Sequence, residues 1–196
     1  MKITKSTRNL LLGMSLGDGS LQSGRLSITH CEAQYEYLVW KQKLLRSHGI
    51  KTREISKFNN NGYIGYKLKT DRYDFIKVIE SLLYCPKKTI TRKILDKLTP
   101  LEIAIWYMDD GGLSQKKQDG VVVANDLMLN TGLQKEENQT IIDYFLEVWG
   151  IQFTQVKNHN CYRLRCGTKE ARKFISIVYP YVSQLKCFEH KLNIKK

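Results

Sequence analysis

The sequence lacks any paired-cysteine motif. Its five cysteines, Cys31, Cys85, Cys161, Cys166 and Cys187, include no CxxC pair, and Cys161 and Cys166 have no histidine at zinc-finger spacing. This excludes a structural zinc site and a disulfide framework. It points to a reducing compartment, such as bacterial or phage-infected cytoplasm or an organelle matrix. Long apolar runs are missing too: Leu10-Leu11-Leu12 ends at Gly13, too short for a signal peptide or a membrane span. A soluble protein with no membrane partner is therefore expected. There is no GxxxxGK[ST] loop and no GxGxxG, which argues against nucleotide-driven chemistry. His30, His48, His159 and His190 do not cluster along the chain, so no catalytic histidine is expected.

Acidic residues are also scarce, 19 against 32 Lys and Arg, for a formal net charge of +13. The imbalance is concentrated in residues 1–98, with 8 acids against 19 bases; residues 99–196 hold 11 against 13. The bases are spread through patterned segments rather than gathered in a tail, and 42% of the chain is hydrophobic, enough for a folded core. A folded basic surface attracts a polyanion, and nucleic acid is the leading candidate.

What is present repeats in order. A helix is expected over 7–18, entered through Ser6 or Thr7, then a hairpin over 20–30 turning at Ser23-Gly24. An amphipathic helix follows over 32–48, with Tyr35, Leu38, Leu44 and Leu45 inward and a stop at Gly49. Strands near 51–57 and 63–70 turn at Asn59-Asn60-Asn61-Gly62, and a helix covers 72–83. The second half begins after Thr99-Pro100 with a helix ending at Gly111-Gly112. Strands near 113–118 and 121–131, a helix over 135–149, strands near 151–157 and 161–167 and a helix over 168–179 complete it. Trp40, Trp106 and Trp149 fall in apolar helices and are expected in the core. Gly49-Ile50 answers Gly150-Ile151, Tyr66-Lys67-Leu68-Lys69 answers Tyr162-Arg163-Leu164-Arg165, and Phe75 answers Phe174. These matches in order mark a duplication. The expected organisation is an N-terminal half at 1–84, a basic connector at 85–99 and a C-terminal half at 100–196. The fold class is α+β, two pseudo-symmetric αββαββα halves.

The first helix of each half carries the sharpest signal. Leu11 to Gly19 and Ile103 to Gly111 are apolar stretches that end in Asp-Gly. A helix C-terminus carries partial negative charge, so a carboxylate there is locally unfavourable. The glycine is expected to supply a left-handed helix stop. One such pair is no more than a stop. Two, at matched places in a duplicated basic protein, suggest a cation held by carboxylate and carbonyl oxygens. Gly13 and Gly17, four apart, would permit close approach of a second helix. Alternation in the strands leaves Arg25, Ser27 and Thr29, Lys67 and Lys69, and Arg163 and Arg165 on faces opposite their apolar neighbours. Gln115 and Lys116 join this set of candidate DNA-binding residues, because a two-stranded ribbon fits the major groove.

The two stretches resemble the LAGLIDADG motif of homing endonucleases. Gly13, Asp18 and Gly19 fit the third, eighth and ninth places of the first copy; Ala104, Asp110 and Gly111 fit the second, eighth and ninth of the second. Ile105 and Asp109 stand where small residues are usual. Lys87-Lys88-Thr89-Ile90, Leu98-Thr99-Pro100, Trp106 to Gly112 and Leu129-Asn130-Thr131 are similar to the single-chain, two-motif branch of the family. The resemblance implies a monomer in which two motif helices form a central interface beneath a DNA-binding β-saddle. It implies that Asp18 and Asp110, with the carbonyls of Gly17 and Asp109, bind Mg2+ (or Mn2+), and that water attacks each scissile phosphate. Lys88 and Lys191, with Lys186 as the alternative to the latter, would polarise that water or stabilise the transition state. The implied activity is a metal-dependent double-strand break in a long double-stranded DNA target, leaving short 3′ overhangs. A DNA-binding regulator without cleavage, or an RNA maturase acting on intron RNA, would use the same basic surface.

Overall fold

The computed structural model describes residues 3–84 and 87–194, and in it the chain divides into two compact units, Met1–Lys88 and Thr89–Lys196. The division falls inside the segment expected to connect the halves. Cys85 and Pro86 of that segment lie outside the described residues.

The first unit runs α1 (Lys5–Leu16), β1 (Ser20–Gln22), β2 (Arg25–Cys31), α2 (Tyr35–Ser47), β3 (Ser56–Asn60), β4 (Tyr63–Lys69) and α3 (Asp74–Leu83). Its four strands form one antiparallel sheet in the order β1-β2-β4-β3. The second unit opens with a one-turn helix, α4 (Arg92–Leu95). It continues with α5 (Pro100–Asp110), β5 (Gly111–Gln118), β6 (Val121–Leu133), α6 (Lys135–Trp149), β7 (Thr154–Asn158), β8 (Cys161–Gly167) and α7 (Thr168–Val182). A 3-10 turn at Lys186–Lys191 follows. Its sheet has the same order, β5-β6-β8-β7, and is likewise antiparallel. The α+β repeat expected from the sequence is therefore present, one sheet per unit. Among the described residues no helix is long and apolar enough to cross a membrane.

Local chemistry explains the boundaries. Thr4, rather than Ser6 or Thr7, caps α1, its side chain accepting from the Thr7 N–H at 3.1 Å. Thr99 and Glu102 close the start of α5, where the Glu102 carboxylate accepts from the Thr99 N–H at 2.8 Å and Pro100 has no N–H that needs an acceptor. Three hairpins turn on residue pairs with positive φ, Ser23-Gly24, Asn61-Gly62 and Asp119-Gly120. This is the turn whose twist matches the strands it joins. Helix α7 runs through Pro180 to Val182 rather than stopping at 179, because a proline in the last turn forgoes only one helical hydrogen bond.

The core lies between each sheet and its helices. In the first unit Leu26, Ile28 and Leu68 meet Tyr37, Leu38 and Leu45 of α2 and Ile76 and Ile79 of α3, all buried. In the second, Leu127, Leu129 and Leu164 cover Phe145, Phe153 and Phe174, whose rings lie 5.1 to 6.0 Å apart. Burying a side chain of this size contributes about 1.5–3 kcal/mol. Four expected core residues are not fully buried: Tyr35, Trp40, Leu44 and Trp149. Tyr35 is exposed at the start of α2, its ring 4.6 Å from that of Tyr66, because α2 turns Tyr37, Leu38, Lys41 and Leu45 inward instead. Of the three tryptophans only Trp106 is fully buried. Helices α1 and α5 differ from ordinary surface helices: every residue from Asn9 to Leu16, and from Glu102 to Met108, is buried.

Candidate active site and nucleic-acid interface

Each of these buried helices ends in the same way. The Gly19 N–H donates to the Met14 carbonyl at 2.9 Å, folding the chain back over the end of α1. A Cβ on Gly19 would stand 2.3 Å from that oxygen. The Gly111 N–H donates to the Tyr107 carbonyl, and a Cβ there would stand 2.0 Å from the Tyr107 ring. None of Gly17, Gly19 and Gly111 has positive φ. The motif glycines are thus required for close approach and not, as expected, for a left-handed stop. The turn carries Asp18 exposed just beyond α1. Asp110, part-buried, is the last residue of α5.

Both helix ends also receive a lysine. Lys88 Nζ donates to the Leu16 carbonyl at 2.6 Å. Lys191 Nζ donates to the Met108 carbonyl at 2.6 Å and to the Tyr107 carbonyl at 3.3 Å. Leu16 and Met108 are each two residues before the motif aspartate, so the same ammonium-to-carbonyl contact recurs in each unit. An ammonium at a helix C-terminus is favoured by the dipole and by the carbonyls left without helical donors. Lys191 is buried, with its ammonium over the Phe188 ring at 5.1 Å, and the Tyr107 hydroxyl donates back to its carbonyl at 2.8 Å. Lys186 is exposed. Of the two lysines left open by the sequence, Lys191 is the one that reaches the α5 terminus.

Burial raises the Tyr107 phenol well above its usual range, so it stays protonated and donates. Asn130, in the expected Leu129-Asn130-Thr131 segment, donates its amide to the Asp110 carbonyl at 2.9 Å. The Thr131 hydroxyl donates to Asn138 at 2.6 Å, tying β6 to α6.

One contributor escaped the sequence reading. His30, on the inner face of β2, is buried with Nδ1 3.6 Å from a carboxylate oxygen of Asp18. Its Nδ1 is also 3.0 Å from Gln34 Oε1, and its Nε2 is 3.2 Å from Nζ of the fully buried Lys41. An ammonium can only donate, so Nε2 accepts and the proton sits on Nδ1, the nitrogen that faces Asp18. That proton is given to Gln34 Oε1, and Asp18, at 3.6 Å, is a neighbour beyond hydrogen-bond distance. Sequence alone gave one signal, a polar residue at an inward position of an alternating strand.

The oxygen chemistry at the two helix ends fits a hard divalent cation. Asp18 and Asp110 are carboxylates at sites open to water, and Gly17 and Asp109, both part-buried, add backbone carbonyls.

The sheets carry the basic residues. In the first, Ser27 lies opposite Lys69 and Thr29 opposite Lys67, so Arg25, Ser27, Thr29, Lys67 and Lys69 share the face away from the core. In the second, Arg163, Arg165 and Lys116 share the equivalent face. Gln115 does not. It lies opposite Asn125 on the core side, where its amide donates to the Asn193 carbonyl at 3.1 Å. Consecutive strand residues point to opposite faces, so Gln115 and Lys116 cannot both meet DNA, and Gln115 leaves the set. Arg165 and Lys116 are both engaged by Asp126, at 2.8 and 3.2 Å.

Comparison with known proteins agrees with this construction. The model of the LAGLIDADG DNA endonuclease family matches residues 8–174. A protein named RecA from Mycobacterium gastri is 28% identical over 93% of the chain, which spans 46% of that relative, about half its length. A cytochrome b mRNA maturase, bI2, from Debaryomyces hansenii is 30% identical over 65% of the chain and 53% of its own. The solved structure of the homing endonuclease I-WcaI bound to its DNA recognition sequence superposes with a TM-score of 0.80. It covers all of this chain and 89% of that one at 19% identity, a likeness of fold.

Proposed function

Because the chain belongs to the LAGLIDADG DNA endonuclease family, we propose that it is a monomeric homing endonuclease that hydrolyses both strands of a long, specific double-stranded DNA site. The observation that carries this reading is the repeated pair at the helix ends, a motif aspartate with a lysine ammonium on the carbonyl two residues before it. Pure phosphate binding gains nothing from carboxylates there, since they repel phosphate.

In this reading Asp18 and Asp110, with the carbonyls of Gly17 and Asp109, hold magnesium or manganese. When bound, such an ion supplies Lewis-acid polarisation of a phosphate oxygen and acidifies water. Lys88 and Lys191 place fixed positive charge where the scissile phosphate gains negative charge; because their carbonyl partners already orient them, little reorganisation is needed during reaction. His30 lies beside the Asp18 carboxylate and adds a polar wall to that end of the site. The outer sheet faces bind the duplex, and cleavage leaves short 3′ overhangs. A second reading, an RNA maturase on the same surface, is favoured by the likeness to the bI2 maturase.

The test is a supercoiled plasmid carrying the chain's own gene locus without the coding insertion, incubated with magnesium. Linear product is expected with the ion and not with a chelator. Asp18→Asn and Asp110→Asn keep the shape and remove the charge; each should abolish linearisation while metal-free DNA binding persists or tightens. Both variants linearising DNA at the wild-type rate would sink the nuclease reading. Tight binding to the excised intron RNA, with no cleavage of DNA, would establish the maturase.

A further inference from the structure

Across all eight strands of the two sheets there is a single acidic residue, Asp126 in β6. Its side chain is only 7% exposed although it lies on the outer face, opposite Ser114 and beside the exposed Lys116. Each carboxylate oxygen holds one cation. Oδ1 accepts from Arg165 Nη2 at 2.8 Å, and Oδ2 lies 3.2 Å from Lys116 Nζ. Burial pushes this carboxyl up, but the hydrogen bonds and charges of Arg165 and Lys116 outweigh it and hold it below its usual value, as a carboxylate.

The first unit lacks this device. Leu68 lies opposite Ile28, and Leu164 opposite Leu129. Stepping along the strands from those pairs, Lys69 takes the place of Arg165 and Arg25 the place of Asp126. Where the second unit sets an acid beside an arginine, the first sets one cation beside another.

A lone carboxylate on a face built for a polyanion weakens phosphate binding, so its effect must come through the cations it holds. A guanidinium has five N–H donors in a rigid fork, and Asp126 takes one of them, at Nη2. The remaining donors point from a part-exposed side chain with its orientation already set. A fork held in this way suits two adjacent acceptors on one base edge, as guanine presents in the major groove.

We infer that Asp126 is a specificity-determining positioning residue: it fixes Arg165 so that the second unit's sheet reads a purine edge. This rests on the DNA-binding reading above. The test is selection from a pool of random 30-base-pair duplexes in chelator, with sequencing of the bound fraction for wild type, Asp126→Ala, Arg165→Ala and Arg165→Lys. Wild type should select a site, and Asp126→Ala should lose about tenfold discrimination at the same position that Arg165→Ala loses. Arg165→Lys keeps the charge and the ion pair but not the fork; it should lose that preference while retaining affinity for unselected duplex. Affinity of Asp126→Ala for unselected duplex should hold or rise, which a misfolded variant would not show. If Asp126→Ala selected the wild-type site at every position, or weakened all sequences equally, this inference would be overturned and DNA binding left standing. Wild-type protein that bound no duplex would overturn both.

Discussion

Lys191→Met tests whether the buried lysine at the end of α5 is built into the site or merely near it. The ammonium makes two hydrogen bonds, to Met108 O at 2.6 Å and Tyr107 O at 3.3 Å, the second long and weak. The Tyr107 carbonyl keeps its bond from Gly111, so the Met108 carbonyl loses most. A hydrogen bond from a charged donor contributes about 1.5–3 kcal/mol net. Methionine fills most of the lysine's apolar volume against Phe188, so little is lost in packing. The expected destabilisation is therefore about 2–3 kcal/mol, a drop of roughly 1 M in the urea midpoint for a slope near 2–3 kcal/mol per molar. Cleavage should fall further than stability if, as in the proposed mechanism, that charge also stabilises the reacting phosphate. Lys186→Met is the internal control; as an exposed residue it should change stability by less than about 0.5 kcal/mol. Paired urea titrations and plasmid cleavage on the three proteins decide it. If Lys191→Met kept the wild-type midpoint and cleaved normally, or if Lys186→Met did the greater damage, the assignment of Lys191 would be wrong.

Three further outcomes follow from the same geometry. Gly111→Ala should be destabilised by about 1–3 kcal/mol in thermal melts, because its Cβ would overlap the Tyr107 ring, and Gly49→Ala, strained only by its positive φ, should lose less. His30→Leu and Lys41→Met should each destabilise the protein, and the double variant should lose less than their sum, since their contact at 3.2 Å is buried; strict additivity in the cycle would show the two uncoupled. Asp126 has a depressed pKa, so its ion pairs stabilise the fold above the unfolded carboxyl's value near 3.9 and the gain is lost as pH falls through the lower folded value. Wild type should then exceed Asp126→Asn in stability at neutral pH and converge with it in strong acid; a gap that widened on acidification would contradict the sign.

Much of this was written in local chemistry. The order of helices and strands follows from apolar period and turn residues, and these act over a few positions: Thr99-Pro100 opens α5 and Asn61-Gly62 turns a hairpin wherever the rest of the chain lies. The two Asp-Gly pairs are legible for the same reason, since a helix end is a local event. The faces of the strands are legible through alternation, which places Arg163 and Arg165 together and separates Gln115 from Lys116; grouping those two set alternation aside. What needed the tertiary structure is whatever joins residues distant in sequence. Lys191 meets Met108 across 83 positions, and Lys88 meets Leu16 across 72, and no local preference distinguishes either from Lys186 or Lys87. His30 was dismissed because histidines do not cluster along the chain, yet strand and helix packing set it between Asp18 and Lys41. The motif glycines were rightly noticed and wrongly explained: the sequence shows that a side chain is absent, and only the folded helix end shows that its own carbonyl and the Tyr107 ring occupy the space. Asp126 stands as one acid among 19 in the sequence and becomes distinct only when strand register brings Arg165 and Lys116 to its two oxygens.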